Sequence, residues 1–168
     1  MTQDEINSTI VKKAKENKVV VRLKGGDPFI FGRGGEEVEV IVNNKINYEI
    51  VPGVNAADGA AAYRGIPLTH RGLANSVRFI TGHQQKGQKP NLDWQGLANE
   101  NTTLVVFMGL THLDEIAKNL IENGLDKSTP VAAISSATTK DENCCIATLE
   151  TIYQKTQDLN LLPPTIII

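Results

Sequence analysis

The chain has 168 residues, 40% of them hydrophobic, with 17 basic and 19 acidic side chains for a net charge of −2. That length allows one ordinary domain or two small ones. The near balance of charge excludes a nucleic-acid binder working through bulk positive charge, and no apolar run reaches membrane-spanning length. The opening Met1–Ile6 carries no basic or apolar signal region, which predicts a cytoplasmic chain. The only cysteines, Cys144 and Cys145, are adjacent, so neither a disulfide framework nor a metal site is expected.

In chain order, Thr2 and Glu5 have the spacing of a capping box. They predict a helix to about Glu16 with Ile6, Ile10, Val11 and Ala14 on one face. Val19-Val20-Val21 reads as a buried strand running to Lys24. It leads into Gly25-Gly26, where no side chain blocks approach to the backbone, and then into Asp27 and Pro28. A second pair, Gly34-Gly35, precedes Glu36-Glu37 and a helix carrying Val38, Val40, Ile41 and Val42, broken by Asn43-Asn44. A strand, a glycine turn and a glycine-rich loop thus meet where open α/β sheets bind ligands. The stretch lacks the Gly-Lys-Ser/Thr ending of a phosphate loop and the Gly-x-Gly-x-x-Gly spacing of a dinucleotide fingerprint, which points to some other ligand.

Tyr48–Val51 reads as a short strand ending at Pro52-Gly53, directly before a helix over Asn55–Arg64 rich in small residues. Asn55 and Ala56 fall at its N-terminus, where backbone donors point outward. Gly65–Gly72 reads as a linker between two lobes divided near residue 75, and a crevice between lobes is a natural ligand site. Ser76–Thr81 is a strand, 84–91 an exposed loop, and Asp93 caps a short helix with Trp94 and Leu97. Thr103–Met108 is a strongly apolar strand. Thr111 caps a helix bearing Leu113, Ile116, Leu120 and Ile121, stopped by Gly124. Further strands are expected at Pro130–Ile134, Cys144–Leu149 and Thr165–Ile168, with a helix over Glu150–Asp158. Strands alternate with helices throughout, so the fold class is α/β.

The stretch Arg22-Leu-Lys-Gly-Gly-Asp-Pro-Phe29 resembles the signature of uroporphyrinogen-III C-methyltransferases, within the tetrapyrrole methyltransferase family. Gln3-x-Glu5-Ile-Asn7, Val51-Pro-Gly-Val54, Gly65-Ile-Pro-Leu-Thr-His-Arg71, Thr81-Gly-His83, Asp93-Trp94 with Leu97-Ala98, and Met108-Gly-Leu110 look like family motifs in family order. The resemblance implies two α/β lobes clasping S-adenosyl-L-methionine, which leaves as S-adenosyl-L-homocysteine. It implies C-methylation of uroporphyrinogen III to precorrin-2, an entry to sirohaem and cobalamin, by a homodimer with no nucleic-acid or membrane partner. Carried over by position, Gly25, Gly26, Asp27, Ile30, Asn55, Ala56, Met108 and Ala137 are the donor-binding residues. Two positions depart from the pattern: the family usually has Thr or Ser at Asn55 and Gly at Ala137.

The implied substrate bears many carboxylates, for which Arg22, Lys24, Arg33, Arg64 and Arg71 are candidates. His70 and His83 are candidates for proton transfer. The family also has a strand and a Gly-Pro-Gly-Asp loop ahead of Gln-x-Glu-Ile-Asn, with the residues given acid–base roles. The chain is therefore expected to be truncated at its N-terminus and slightly at its C-terminus. Its first lobe, 1–75, would be incomplete and its second would span 76–168. Catalytic residues would lie in the missing segment, leaving weak donor binding, no turnover and a tendency to associate. Alternatives are a sibling acting on another precorrin, ribosomal RNA or diphthine, or an inactive donor-binding fragment.

Overall fold

The computed structural model of the chain describes residues 1–82 and 92–168. His83 and the stretch 84–91, expected as an exposed loop, lie outside the described residues. The chain divides into two compact units, Met1–Asn55 and Ala56–Ile168. This boundary lies ahead of the one expected near residue 75, because the small-residue helix belongs with the second unit. Its Ala57 and Ala60 are fully buried in one cluster with Val105, Ala132, Ile134 and Ile166.

In the first unit, α1 (Gln3–Lys15) begins at the expected capping box. Thr2 Oγ1 accepts from the Glu5 amide at 3.2 Å, and Glu5 Oε2 accepts from the Thr2 amide at 2.6 Å. α2 (Gly34–Asn43) starts from Arg33 in the left-handed region, and the two helices pack together. The runs expected as strands at 19–24 and 48–51 form none. Val19, Val21 and Leu23 are at least 80% exposed. A β-branched run has the propensity for a strand, but only pairing and burial make one. No ladder partner for either run is present among the described residues.

What organises this unit instead is the carboxylate of Glu37, buried in the first turns of α2. Its Oε1 accepts from Arg22 Nε at 3.1 Å and from Gln3 Nε2 at 3.1 Å, and its Oε2 from Lys24 Nζ at 2.9 Å. One acid therefore ties α1, α2 and the segment leading to Gly25. Burial pushes this carboxyl up, but the hydrogen bonds from Lys24, Gln3 and Arg22 outweigh it and hold it below its ordinary value.

The second unit contains α3 (Ala56–Arg64), β1 (Ser76–Thr81), α4 (Trp94–Leu97), β2 (Thr102–Phe107), α5 (Leu113–Glu122), β3 (Pro130–Ser135), β4 (Asn143–Thr148), α6 (Ile152–Asp158) and β5 (Thr165–Ile167). The sheet order is β1-β2-β5-β3-β4. β1 and β2 are parallel, from Ser76↔Thr102 to Thr81↔Phe107. β5 runs antiparallel to both β2 and β3, and β3–β4 is an antiparallel pair. Alternation along the strands sends their side chains to two cores. Val106, Ala133 and Ile167 pack with Leu113, Ile116 and Leu120 of α5 and Ile152 of α6, while Val105, Ala132, Ile134 and Ile166 pack with α3.

Asp93 caps α4 as expected, its Oδ1 accepting from the Gly96 amide at 3.0 Å. Thr111, expected as a cap, instead lies in a 3-10 turn, Leu110–His112, and α5 starts one residue after it. Cys144 and Cys145 are both free, as adjacent strand residues pointing to opposite faces must be.

Ile134→Ala opens a cavity beneath α3, and is expected to cost roughly 2–5 kcal/mol. Urea denaturation should show a lower midpoint at unchanged slope. For Glu37, a depressed carboxyl stabilises the fold above its unfolded value, near 4.3. That contribution is lost as pH falls through the folded value. Thermal melts from about pH 7 down to about pH 3 should therefore fall more steeply for the parent chain than for Glu37→Gln. Parallel pH dependence in the two proteins would remove Glu37 from this role.

Candidate functional site

The sequence-predicted site residues divide between the two units. Gly25, Gly26, Asp27, Ile30 and Asn55 fall in the first, and Ala56, Met108 and Ala137 in the second.

In the first unit, the glycine turn folds against Pro52–Asn55. Gly26 has φ +82°, a region open to glycine at little cost, and a Cβ built there would come 3.3 Å from the Val54 carbonyl oxygen and 3.6 Å from Asn55 Cα. A Cβ at Gly53 would in turn run into the Gly26 carbonyl. Two glycines thus let two turns meet backbone to backbone. Gly25 differs, because a Cβ there meets nothing within 4 Å. It presents bare backbone to open space. Asn55 is buried beside it in the chain of contacts through Gly26.

Asp27 has a structural task. Its Oδ1 accepts from the Phe29 amide at 2.8 Å and the Ile30 amide at 3.0 Å, the pattern of an aspartate that stabilises its own turn. The following loop closes on Pro28, whose carbonyl oxygen accepts from the Gly34 amide at 3.0 Å. Phe31 and Arg33 in this loop both adopt left-handed backbone, at φ 51° and 57°. Ile30 lies at the surface.

In the second unit, Met108 leaves β2 with φ 52° and a half-exposed side chain. Non-glycine residues held in this region store strain and cluster at functional sites. Behind it, Gly109 is buried, and a Cβ on Gly82 would press on Gly109 Cα, so the ends of β1 and β2 also close through glycines. Ala137 follows β3, flanked by left-handed Ser136 and Thr138, and its methyl packs on the cluster beneath α3. The extra methyl at this position is thereby taken up by the core. Ala56 is exposed at the start of α3.

Four of the five basic candidates are engaged by acids. Arg22 and Lys24 bind Glu37, Arg33 binds Glu36 at 2.6 Å, and Arg64 binds Glu142 at 2.6 Å. The acids Glu37 and Glu142 are nearly buried, whereas the Arg33–Glu36 pair lies at the surface, and Arg71 is exposed. His70 is exposed too, its Nδ1 lying 2.9 Å from the Arg71 carbonyl oxygen, in a small turn closed by a bridge to Ala74. Sequence reasoning did not single out Glu37 or Glu142. Glu37 looked like a first-turn acid, and its burial follows only from three distant donors converging on it. Among the described residues, no group of three or more His, Cys, Asp and Glu could hold a metal ion, and no helix is long and apolar enough to cross a membrane.

Comparison with known proteins bears on what this arrangement serves. Residues 1–153 match the family model described as tetrapyrrole (corrin/porphyrin) methylases. The chain is 51% identical over its whole length to a siroheme synthase of Nitrosospira multiformis, of which it spans 35%. It is similar, at TM-score 0.82 and 36% identity, to the uroporphyrin-III C-methyltransferase of Thermus thermophilus complexed with S-adenosyl homocysteine, covering 98% of this chain and 71% of that one. It is also similar, at TM-score 0.88 and 27% identity, to a cobalt precorrin-4 methyltransferase of cobalamin biosynthesis. With a family match over nine-tenths of its length and an α/β fold shared with these enzymes, the chain belongs to the tetrapyrrole methylase family.

Proposed function

We propose that the protein to which this chain belongs transfers methyl groups from S-adenosyl-L-methionine to ring carbons of uroporphyrinogen III, giving precorrin-2 for sirohaem synthesis. What carries this reading is the turn at Gly25–Asp27, where bare backbone at Gly25 faces open space and Gly26 seats against Val54 and Asn55. A donor with a flat base, a ribose and an amino-acid group needs such backbone access. The identities support the substrate: 51% with the siroheme synthase and 36% with the uroporphyrin-III enzyme, against 27% with the cobalt precorrin-4 enzyme.

The residues fit the donor as a cradle rather than as a charged clamp. Gly25 and Gly26 would offer backbone, Asp27 holds that backbone in shape through Phe29 and Ile30, and Asn55 would offer its side-chain amide. In the second unit, Met108, Ala137 and the exposed Ala56 are proposed as further donor contacts. When bound, the donor supplies an electrophilic methyl group on a positive sulfur. The transfer is an in-line displacement, so holding both partners still supplies much of the rate. The engaged state of Arg22, Lys24, Arg33 and Arg64 leaves Arg71 as the proposed contact for a substrate carboxylate. A cytoplasmic homodimer, serving cobalamin as well as sirohaem, completes the reading.

Expressed in its natural reading frame, the protein is expected to move labelled methyl groups onto uroporphyrinogen III and yield precorrin-2. Label found only in RNA or protein would overturn the substrate. Gly26→Val places a branched side chain against Val54 and Asn55 at a positive φ. Calorimetry should show donor affinity lost in the folded variant. Unchanged affinity would remove the turn from the site.

A further inference from the structure

The turn after β3 is held by a carboxylate that sequence reasoning passed over. Glu142 is almost wholly buried at its side chain and divides its two oxygens. Oε1 accepts from Arg64 Nε at 2.6 Å, at the end of α3, and Oε2 accepts from the Thr138 amide at 2.6 Å. A desolvated carboxylate is costly unless both oxygens are satisfied, and bonds to a charged partner are the stronger kind. Here both conditions are met, and the consequence is a fixed link from α3 to the backbone beside Ala137.

The other side of Ala137 is fixed as well. The Ser136 amide donates to the Pro164 carbonyl at 2.9 Å, and Thr139 Oγ1 donates to the Ser136 carbonyl at 2.7 Å. Ser136 and Thr138 both sit in left-handed backbone, at φ 47° and 67°. Side chains with a Cβ disfavour that region, so the pair persists only because its surroundings over-determine it. Glu142 supplies that constraint at Thr138, and Arg64 keeps Glu142 in place.

We propose that Glu142, held by Arg64, is a positioning residue for donor binding: it pre-forms the turn that presents the Ala137 backbone. The role rests on the reading of Ala137 as a donor contact. A pre-formed loop binds more tightly because ordering it costs nothing at the moment of binding.

The test uses the protein expressed in its natural reading frame, with S-adenosylhomocysteine as the probe. In Glu142→Ala, amide hydrogen exchange at Thr138 should speed by at least about tenfold while β3 and β4 keep their protection, and affinity measured by calorimetry should fall by about tenfold. Glu142→Gln, which keeps an acceptor for Thr138, should recover part of that affinity. A purely structural role would lower the melting temperature and leave the affinity of the folded protein unchanged, which would overturn the proposal. Should Glu142→Ala fail to fold, Arg64→Met removes only the Oε1 partner and gives the same two readouts. Unchanged exchange at Thr138 in a folded variant overturns the link itself. An unsubstituted parent protein that folds and binds no S-adenosylhomocysteine overturns the donor reading and the positioning role with it, while the exchange data still report whether Glu142 holds the turn.

Discussion

The first unit depends on one desolvated carboxylate. Glu37 collects a guanidinium, an ammonium and a side-chain amide from positions 22, 24 and 3. Each alone would be a weak surface contact. Converging on a buried acid, they replace what a sheet would otherwise provide, since the run at 19–24 pairs with nothing among the described residues. Removing the acid would leave two cations facing each other beside the glycine turn. That asymmetry, in which a broken buried pair costs more than the intact pair contributes, makes Glu37 a constraint rather than an ornament.

The second unit is built by a different force. Its sheet is amphipathic on neither side, because Val105 and Val106, or Ile166 and Ile167, turn to opposite faces and both faces are covered. β5 stands in the middle of the sheet although it comes last in the chain. The sheet therefore closes only when residues 165–167 insert between β2 and β3. α3 can lie close to it because Ala57 and Ala60 bring methyls where larger side chains would hold the helix away. Burial of this kind is non-directional, and the directional bonds are the ladders that run along the paired strands.

Strain concentrates where the chain leaves those elements. Phe31, Arg33, Met108, Ser136 and Thr138 all hold positive φ without being glycine. Of the eight non-glycine residues with positive φ among the described residues, Phe31, Met108, Ser136 and Thr138 are, or stand within two residues of, a proposed donor contact, while Asn17, Arg33, Lys45 and Asn160 do not. Local bonds hold some of these turns: the Pro28 carbonyl receives the Gly34 amide, the Pro164 carbonyl the Ser136 amide, and Glu142 the Thr138 amide. Several of the proposed donor contacts thus stand beside backbone shapes that ordinary side chains avoid.

Much of this was legible in the sequence. The capping box at Thr2–Glu5, the Asp93 cap, the helices of both units and the strands of the second follow from local spacing and alternation, which depend on nearest neighbours alone. The motif at 22–29 and its companions pointed to the family for the same reason, since a glycine turn is written in consecutive residues. Tertiary structure decided the rest. Val19–Lys24 has the composition of a strand, but a strand requires a partner that no local pattern names. The place of α3 in the second unit came from Ala57 and Ala60 packing against strand residues Val105, Ala132, Ile134 and Ile166, 45 to 109 residues downstream. Arg22, Lys24 and Arg64 look like solvated or substrate-facing cations until the acids that meet them, 13 to 78 residues away, are brought into contact. Charge pairing over such distances is settled by the fold, because only the fold sets which groups lose their water together.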